Sequence, residues 1–245
     1  MNLHDILLYF FLYGFLGWLT EVIYAAAKQK KYVNRGFLNG PICPIYGIGV
    51  TAVVVLTTPF VNSVLLLYIV SALLVTILEL VTGVLLEIMF NHRWWDYSDE
   101  RLNLGGYVCV KFSCIWGAAC VIIVKYIHPL IVKLVSFIPI KTGSVILIAL
   151  VFALTADIFV TVSAILSLNE KLKDIKGKIE KVHKLPEKMA DSINKNMIGE
   201  IKKKSVIRRL FNAFPNIRSN KYGDEMSMLK SALKDMLDIR EKKND

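Results

Sequence analysis

The sequence contains few of the residue patterns that form catalytic or metal sites. Its four cysteines form no Cys-x-x-Cys pair, and its four histidines are scattered along the chain. It has no Gly-rich loop ending in Lys-Ser/Thr, no dinucleotide-binding glycine motif and no Gly-x-Ser-x-Gly element. These absences predict no metal, no other cofactor and no catalytic residues, and any ATPase activity would belong to another protein.

Charged residues are also scarce, which excludes an ordinary soluble domain. Only 20% of the 245 residues are charged, 55% are hydrophobic, and the mean hydropathy is +0.50. A membrane-spanning helix needs about 20 mostly apolar residues. The apolar stretches of about that length are residues 6–27, 42–60, 64–90, 104–124 and 142–168. We therefore predict an all-α polytopic membrane helix bundle of about five spans in residues 1–168, followed by a basic helical tail in residues 169–245.

The basic residues predict an orientation in the membrane. Short loops rich in lysine and arginine stay on the cytoplasmic side. The first loop has four positive charges (Lys28, Lys30, Lys31, Arg35), the second none, the third two (Arg93, Arg101) and the fourth three (Lys125, Lys133, Lys141). The tail has 20 Lys and Arg against 12 Asp and Glu, and five spans place it on the same side as the first and third loops. This pattern predicts a multi-pass protein of the inner (plasma) membrane with its N-terminus outside and its tail in the cytoplasm. Two prolines in residues 125–141 bracket a short apolar stretch, which we interpret as an interfacial helix or a re-entrant segment.

Four acidic residues and one lysine fall within the predicted spans. They are Glu21, Glu79, Glu87, Asp157 and Lys111. A carboxylate at the bilayer centre costs roughly 2.5 to 3.5 kcal/mol, so each acid should face protein or water rather than lipid. The excess negative charge must be protonated, paired with loop arginines or matched by a cation. We predict a polar centre open to the cytoplasm, where these residues bind a small polar or charged ligand.

Two loops that share the cytoplasmic side in this topology supply further candidate ligand residues. The prolines and glycines of residues 34–49 predict an interrupted helix, with the second span beginning near Pro44. Residues 91–103 combine tryptophans with acids and arginines, which suits an interfacial belt or an ion-pair lattice. The candidates are Asn34, Arg35, Asn39 and Tyr46 in the first segment, and Trp95, Asp96, Tyr97 and Asn103 in the second.

A set of spaced motifs in residues 1–120 resembles a known family. The motifs are Gly17-Trp18 with Glu21, Asn34-Arg35-Gly36, Gly40-Pro41-Ile42-Cys43-Pro44-Ile45-Tyr46-Gly47, Glu79 with Thr82-Gly83 and Leu86-Glu87, Trp94-Trp95-Asp96-Tyr97-Ser98, Asn103 and Trp116-Gly117. Together they resemble the CmpB-like bacterial membrane proteins described as Putative ABC-transporter type IV. The resemblance implies a permease subunit that works with a separate ATPase, and it supports the choice of site residues.

The tail predicts contacts with lipid and with a second copy. Apolar residues from 165 to 182 continue the fifth helix until Pro186. Lys202-Lys203-Lys204 and Arg208-Arg209, next to Leu210, Phe211 and Phe214, suit the anionic inner leaflet, and this placement beside a membrane domain argues against nucleic acid. A helix over residues 224–240 would place Met226, Leu229, Leu233 and Met236 on one face, which could form a homo-oligomer.

Three hypotheses for function remain open on the sequence alone. The first is a transporter or permease component that moves a small polar or charged ligand through the polar centre. The second is a membrane-embedded enzyme acting on a lipid head group, with Glu79 or Glu87 as general base and Arg35 holding phosphate. The third is a non-catalytic scaffold or regulator whose tail recruits a partner.

Overall fold

The computed structural model describes residues 2–182, 205–227 and 229–231. It confirms an all-α polytopic membrane protein. In the described part of the chain, four helical stretches are long and apolar enough to cross a membrane: Leu3–Gln29, Val64–Phe90, Val110–Ser136 and Ile140–Asp174. The second predicted span is a shorter apolar helix, Pro44–Phe60.

The first two helices pack closely through glycines. Helix α1 is Leu3–Gln29, and α2 is Pro44–Thr57, extended by a 3-10 turn to Phe60. Pro44 occupies the first turn of α2, as predicted, because its missing N–H has no intrahelical acceptor there. Near the start of α2, the Cys43 amide donates to the Gly14 carbonyl of α1 at 2.9 Å. Small residues permit this approach of the two backbones.

The third helix is followed by a loop with a small hairpin. Helix α3 is Val64–Phe90, with the bounds that hydropathy predicts, and strand β1 is His92–Arg93. Strands β2 (Asn103–Leu104) and β3 (Val108–Cys109) pair antiparallel. Gly105 and Gly106 connect them with φ of 59° and 75°, values that glycine adopts without steric cost.

The fourth span is longer than predicted. Helix α4 (Val110–Ile122) passes through a π-helical turn, Ile123–Ile127, into α5 (His128–Ser136). The prediction of a helical segment separate from the fourth span is therefore wrong, because residues 125–136 continue the fourth helix. The π-helical turn places Pro129 at the start of a new helical segment, where the missing N–H is tolerated.

The last long helix extends beyond its apolar part. Helix α6 is Ile140–Val182, so the predicted continuation of the fifth helix is confirmed to Val182. Pro186, Lys202-Lys203-Lys204, Leu233 and Met236 lie outside the described residues.

The chain forms two compact units. The bundle unit comprises the described residues up to Leu85 together with Trp95–Phe159, and the tail unit comprises Leu86–Trp94 and the described residues from Val160 onward. The apolar core of the bundle unit includes Leu8, Phe11, Val53, Leu67 and Leu147. The candidate site described below lies in the bundle unit.

The tail unit has a core of its own. Helix α7, Ser205–Ala213, contributes Ile207, and strand β4, Arg218–Ser219, pairs antiparallel with β1. The other buried members of this core are Leu168, Leu172, Tyr222, Met226 and Leu229. Met226 and Leu229, assigned above to a contact with a second copy, are therefore covered by their own chain, and Leu210 is also buried. Tail contacts with lipid and with a second copy stay predictions.

Candidate functional site

Glu21, near the end of α1, is held by side chains from the first loop and from α2. Its Oε1 atom accepts a hydrogen bond from the Tyr46 hydroxyl at 2.6 Å, and its Oε2 atom lies 3.3 Å from Nε of Arg35. Arg35 also lies over the Tyr24 ring, with Cζ 5.0 Å from the ring centroid. Glu21 therefore has both a cationic partner and a hydroxyl donor, which offset the cost of a charge in an apolar helix.

Replacing Gly17 with alanine is expected to destabilise the protein by about 1–3 kcal/mol, the usual cost of overpacking. A Cβ atom at Gly17 would lie 2.3 Å from Cγ of Tyr46, so the ring would have to leave its hydrogen bond to Glu21. The melting temperature in detergent measures the effect. Gly177→Ala is the matched control, because nothing lies within 4 Å of its Cβ position, and it should leave the protein as stable or more stable. Equal melting temperatures for the two variants would contradict this packing.

The first loop is folded by hydrogen bonds of its own asparagines. Trp18 Nε1 donates to Asn34 Oδ1 at 2.8 Å, and the Gly36 amide donates to the same oxygen at 3.2 Å. Asn34 Nδ2 donates to the Asn39 carbonyl at 2.7 Å. Asn34 thus fixes the shape of the loop that carries Arg35.

Asp157 of α6 anchors this loop. Its Oδ1 atom accepts from the Asn39 amide at 3.0 Å and from Asn39 Nδ2 at 2.9 Å, and its Oδ2 atom accepts from the Gly40 amide at 2.6 Å. A Cβ at Gly40 would lie 3.1 Å from Oδ2, so glycine allows this close approach. The three donors satisfy both oxygens of the carboxylate, which makes Asp157 a structural anchor for the loop.

Glu79 of α3 is only half satisfied. Its Oε1 atom accepts from the Tyr97 hydroxyl at 3.0 Å. Its Oε2 atom is buried and has no hydrogen-bond partner among the residues that the structure describes. A buried oxygen of this kind is costly unless a partner arrives.

Tyr97 is locked in place as the hydrogen-bond donor to Glu79. Its ring stacks on Phe112 with centroids 4.8 Å apart, and its amide donates to the Gly106 carbonyl at 2.8 Å. Burial raises the pKa of Tyr97 well above its ordinary value, and the carboxylates of Glu79 and Glu21 raise this pKa further. Tyr97 therefore keeps its proton at physiological pH. From here on, the polar centre means Glu21, Tyr46, Tyr97 and Glu79, a different set from the one predicted from the sequence.

Trp95 lies beside the same helix, one turn beyond Glu79. Its Nε1 atom donates to the Tyr107 carbonyl at 2.8 Å. A Cβ at Gly83 would lie 3.1 Å from Cζ2 of Trp95 and 3.0 Å from Cδ1 of Tyr107, so both rings rest on the glycine. The polar centre is thus bordered by aromatic side chains from the second loop.

Asp96 and Asn103 organise the second loop. Asp96 Oδ1 accepts from the Ser98 amide at 3.0 Å. Asn103 Nδ2 donates to the Glu100 carbonyl at 2.8 Å, and Asn103 Oδ1 accepts from the Gly106 amide at 3.1 Å. Both side chains make turn contacts that position Tyr97 and Trp95.

Two of the predicted charged residues form pairs elsewhere. Lys111 Nζ donates to Glu100 Oε1 at 2.8 Å, and the lysine side chain is 58% exposed. Glu87 belongs to the tail unit, where Arg93 Nε donates to its Oε2 atom at 3.0 Å. The excess of acids is thus met largely by loop arginines and loop amides, and Glu79 is the exception. Among the described residues, no group of three or more His, Cys, Asp or Glu could hold a metal ion.

A polar pair in the bundle unit was not among the predicted site residues. The Tyr13 hydroxyl and His128 Nδ1 lie 2.8 Å apart, and the Tyr9 ring makes an edge contact with His128 at 5.2 Å between centroids. The four-residue spacing of Tyr9 and Tyr13 on a helix was the available signal. His128 lies 115 residues after Tyr13 in the sequence, so no local sequence pattern connects the two residues.

Comparison with known families identifies the family of this chain. The sequence model of the family described as Putative ABC-transporter type IV matches residues 8–162. This range includes both loops and the polar centre, and it ends before most of the tail. Comparisons with curated proteins and with solved structures found no match.

Proposed function

Since this chain belongs to the family described as Putative ABC-transporter type IV, we propose that it is a membrane transport component whose polar centre binds a small cationic ligand. The binding group in this proposal is the Glu79 carboxylate. Tyr97 holds its Oε1 atom and leaves Oε2 for the ligand. Tyr46 and Glu21 form the neighbouring hydrogen-bonded pair.

The difference between Glu21, Glu79 and Asp157, the three acids predicted within spans that lie in the bundle unit, carries this proposal. Glu21 is paired with the guanidinium of Arg35, and Asp157 accepts three N–H hydrogen bonds. Glu79 has a neutral tyrosine hydroxyl on one oxygen and a buried second oxygen with no partner among the described residues. A positively charged ligand would supply the missing partner, whereas an anion would be repelled.

The aromatic border supports the same ligand class. Trp95 and Tyr107 rest on Gly83, and the Tyr97 ring stacks on Phe112. The faces of such rings attract ammonium groups and other cations, most strongly where water is excluded. A carboxylate bordered by aromatic rings is therefore suited to a small organic cation as well as to a metal cation.

The hypothesis of a lipid-modifying enzyme receives less support. It assigned Arg35 to a phosphate group, but the Nε atom of Arg35 lies 3.3 Å from the carboxylate of Glu21. In the transport proposal Arg35 instead stabilises Glu21. The proposal keeps the predicted orientation, with the polar centre open to the cytoplasm, and it assigns ATP hydrolysis to a separate partner, because the chain has no phosphate-binding loop of its own.

Replacing Glu79 with glutamine tests the proposal. The purified full chain in nanodiscs is titrated with Na⁺, K⁺ and tetramethylammonium as probe cations, and binding is measured by calorimetry. The wild-type chain should bind at least one probe. Glu79→Gln should weaken this binding about 10- to 100-fold, since a hydrogen bond to a charged group contributes about 1.5–3 kcal/mol.

Glu170→Gln is the matched control, because it makes the same substitution at an exposed position of α6. It should bind the probe as the wild-type chain does. Unchanged binding in Glu79→Gln, or no binding of any of the three cations by the wild-type chain, would remove Glu79 from the mechanism.

A further inference from the structure

A line of mostly polar residues runs along α1 from the start of the helix to Glu21 of the polar centre. Asp5, Tyr9, Tyr13, Gly17 and Glu21 follow one another at four-residue spacing. Residues four apart on a helix are neighbours, with a rise of about 6 Å per step, and the line turns about 40° around the helix at each step. The line therefore meets different helices along its course.

Each part of this line has a partner in the bundle unit. At the start, His4 Nδ1 lies 3.2 Å from Asp5 Oδ1. In the middle, Tyr9 and Tyr13 are 4% and 3% exposed and both contact the His128 ring. Burial of a hydroxyl within an apolar core is expensive unless the hydroxyl is hydrogen-bonded, and Tyr13 meets this cost with Nδ1 of His128 at 2.8 Å.

At the other end of this line, Tyr46 of the polar centre contacts α1. The Tyr46 ring lies over Gly17, where a Cβ would be 2.3 Å from its Cγ, and the Tyr46 hydroxyl donates to Glu21. The line is thus continued by Tyr46 from the level of Gly17 to the Glu21 carboxylate.

The π-helical turn determines the position of His128. Ile123–Ile127 forms this turn directly before His128, and such turns occur often at functional sites because they shift the following side chains from regular helical register. Pro129 follows and lacks an N–H. The regular hydrogen-bond pattern of the helix is therefore interrupted directly before His128, whose Nδ1 atom lies 2.8 Å from the Tyr13 hydroxyl.

We propose that Tyr13 and His128 form a proton-binding station in a relay that connects the start of α1 with the polar centre. This proposal rests on the proposed function, and it adds protons as a second cargo. Intramembrane chains of His, Asp and Glu are a common means of moving protons in pumps and transporters.

One proton enters the station and one leaves it. A proton from the side of His4 and Asp5, carried by water, adds to Nε2 of His128. The imidazolium then donates its Nδ1 proton to the Tyr13 oxygen, and the Tyr13 hydroxyl releases its own proton through water toward Tyr46 and Glu21. His128 is again neutral, with its proton on Nε2, and ring rotation or tautomer exchange resets the pair.

The titratable residues around Tyr13 and His128 come from α1 and from the helical stretch of His128 itself. Tyr9 and Tyr13 face His128 from α1, with His4 and Asp5 nearer the start of that helix. On the helical stretch of His128 itself the nearest titratable residues are Lys125, which is partly buried, and Tyr126 and Lys133, which are exposed. The cation-binding carboxylate, Glu79, lies on a different helix.

Proton flux through proteoliposomes tests the relay. The full chain is reconstituted with a trapped pH-sensitive dye, a potassium diffusion potential is imposed with valinomycin, and proton entry is recorded. The wild-type chain should conduct protons above the rate of empty liposomes. Tyr13→Phe and His128→Gln should each lower this flux by about a hundredfold, the lower end of the contribution of one proton-transfer group.

Tyr126→Phe is the matched control for Tyr13→Phe, because Tyr126 lies two residues before His128 and is 69% exposed. It should conduct as the wild-type chain does, and all variants must elute as the wild-type chain does in size-exclusion chromatography. If either station variant is folded and conducts normally, or if the wild-type chain conducts no more than empty liposomes, the relay is overturned.

The two proposals fail separately. Loss of the relay with cation binding intact would leave the transport proposal standing, since that binding is measured without a proton gradient. Normal cation binding in Glu79→Gln would overturn the transport proposal whatever the proton flux.

Discussion

Asp157→Ala is expected to release the first loop from α6 and to accelerate hydrogen exchange at the Asn39 and Gly40 amides about 10²- to 10³-fold. The substitution removes the acceptor of three N–H hydrogen bonds in one step. Breaking such a partly buried charged contact costs about 3–5 kcal/mol, and each 1.4 kcal/mol is about tenfold in the opening equilibrium. Hydrogen–deuterium exchange with mass spectrometry, resolved to this loop, measures the change.

Asp99→Ala controls for the loss of an acidic residue as such. Asp99 is an exposed residue of the second loop, so its replacement should leave exchange in the first loop unchanged. Asp157→Asn should fall between the two, because its remaining carbonyl oxygen can still accept from Asn39. Slow exchange of Asn39 and Gly40 in Asp157→Ala would show that the loop is held by other contacts.

Acidification from pH 7 to pH 4.5 is expected to destabilise the tail unit by up to about 3 kcal/mol through His92. This residue is fully buried, and burial lowers its pKa to about 4, although the Asn91 backbone and the Asn169 side chain act in the opposite direction. In the unfolded chain its pKa is near 6.5. Between these values the unfolded state binds more protons than the folded state. The contribution of His92 to the stability of the tail unit is therefore fully present above about pH 6.5 and is lost as pH falls toward 4.

Hydrogen exchange of the Asn220 amide, which donates to the Asn91 carbonyl at 3.0 Å, reports on this unit. After correction for the intrinsic effect of pH, exchange should rise as pH falls from 6.5 to 4.5. His92→Gln does not titrate, so it should show a flat profile over that range, with lower stability at pH 7. An equally steep profile in His92→Gln would assign the pH dependence to another group.

Hydropathy predicts the bounds of a helix well when the length of its apolar run sets those bounds. The bounds of α3 follow directly from its apolar run. The fourth helix could not be predicted to its end, since Pro129 normally terminates a helix and only a π-helical turn carries the chain past it. In the tail, periodicity indicated the apolar face of Met226 and Leu229 but not its partner, which is a core formed by distant parts of the same chain.

Residues of the candidate site could be predicted from the sequence, but the contacts between them could not. The energetic cost of a carboxylate in lipid identified Glu21, Glu79 and Asp157, and the loops were visible as motifs. Whether an acid would meet a cation or three amides depends on loop geometry, which spacing does not reveal. Tyr13 and His128 were missed because each residue alone is ordinary, and only the fold brings them together.

The anchoring of the first loop by Asp157 also bears on the order in which the protein assembles in the membrane. The loop is synthesised early, but its anchor lies 117 and 118 residues later in the chain. If the spans enter the bilayer in chain order, Asn39 and Gly40 can reach their acceptor only after the last long helix has been inserted. The loop therefore acquires its final shape at the end of biogenesis, and a chain stalled before residue 157 would expose it to proteases.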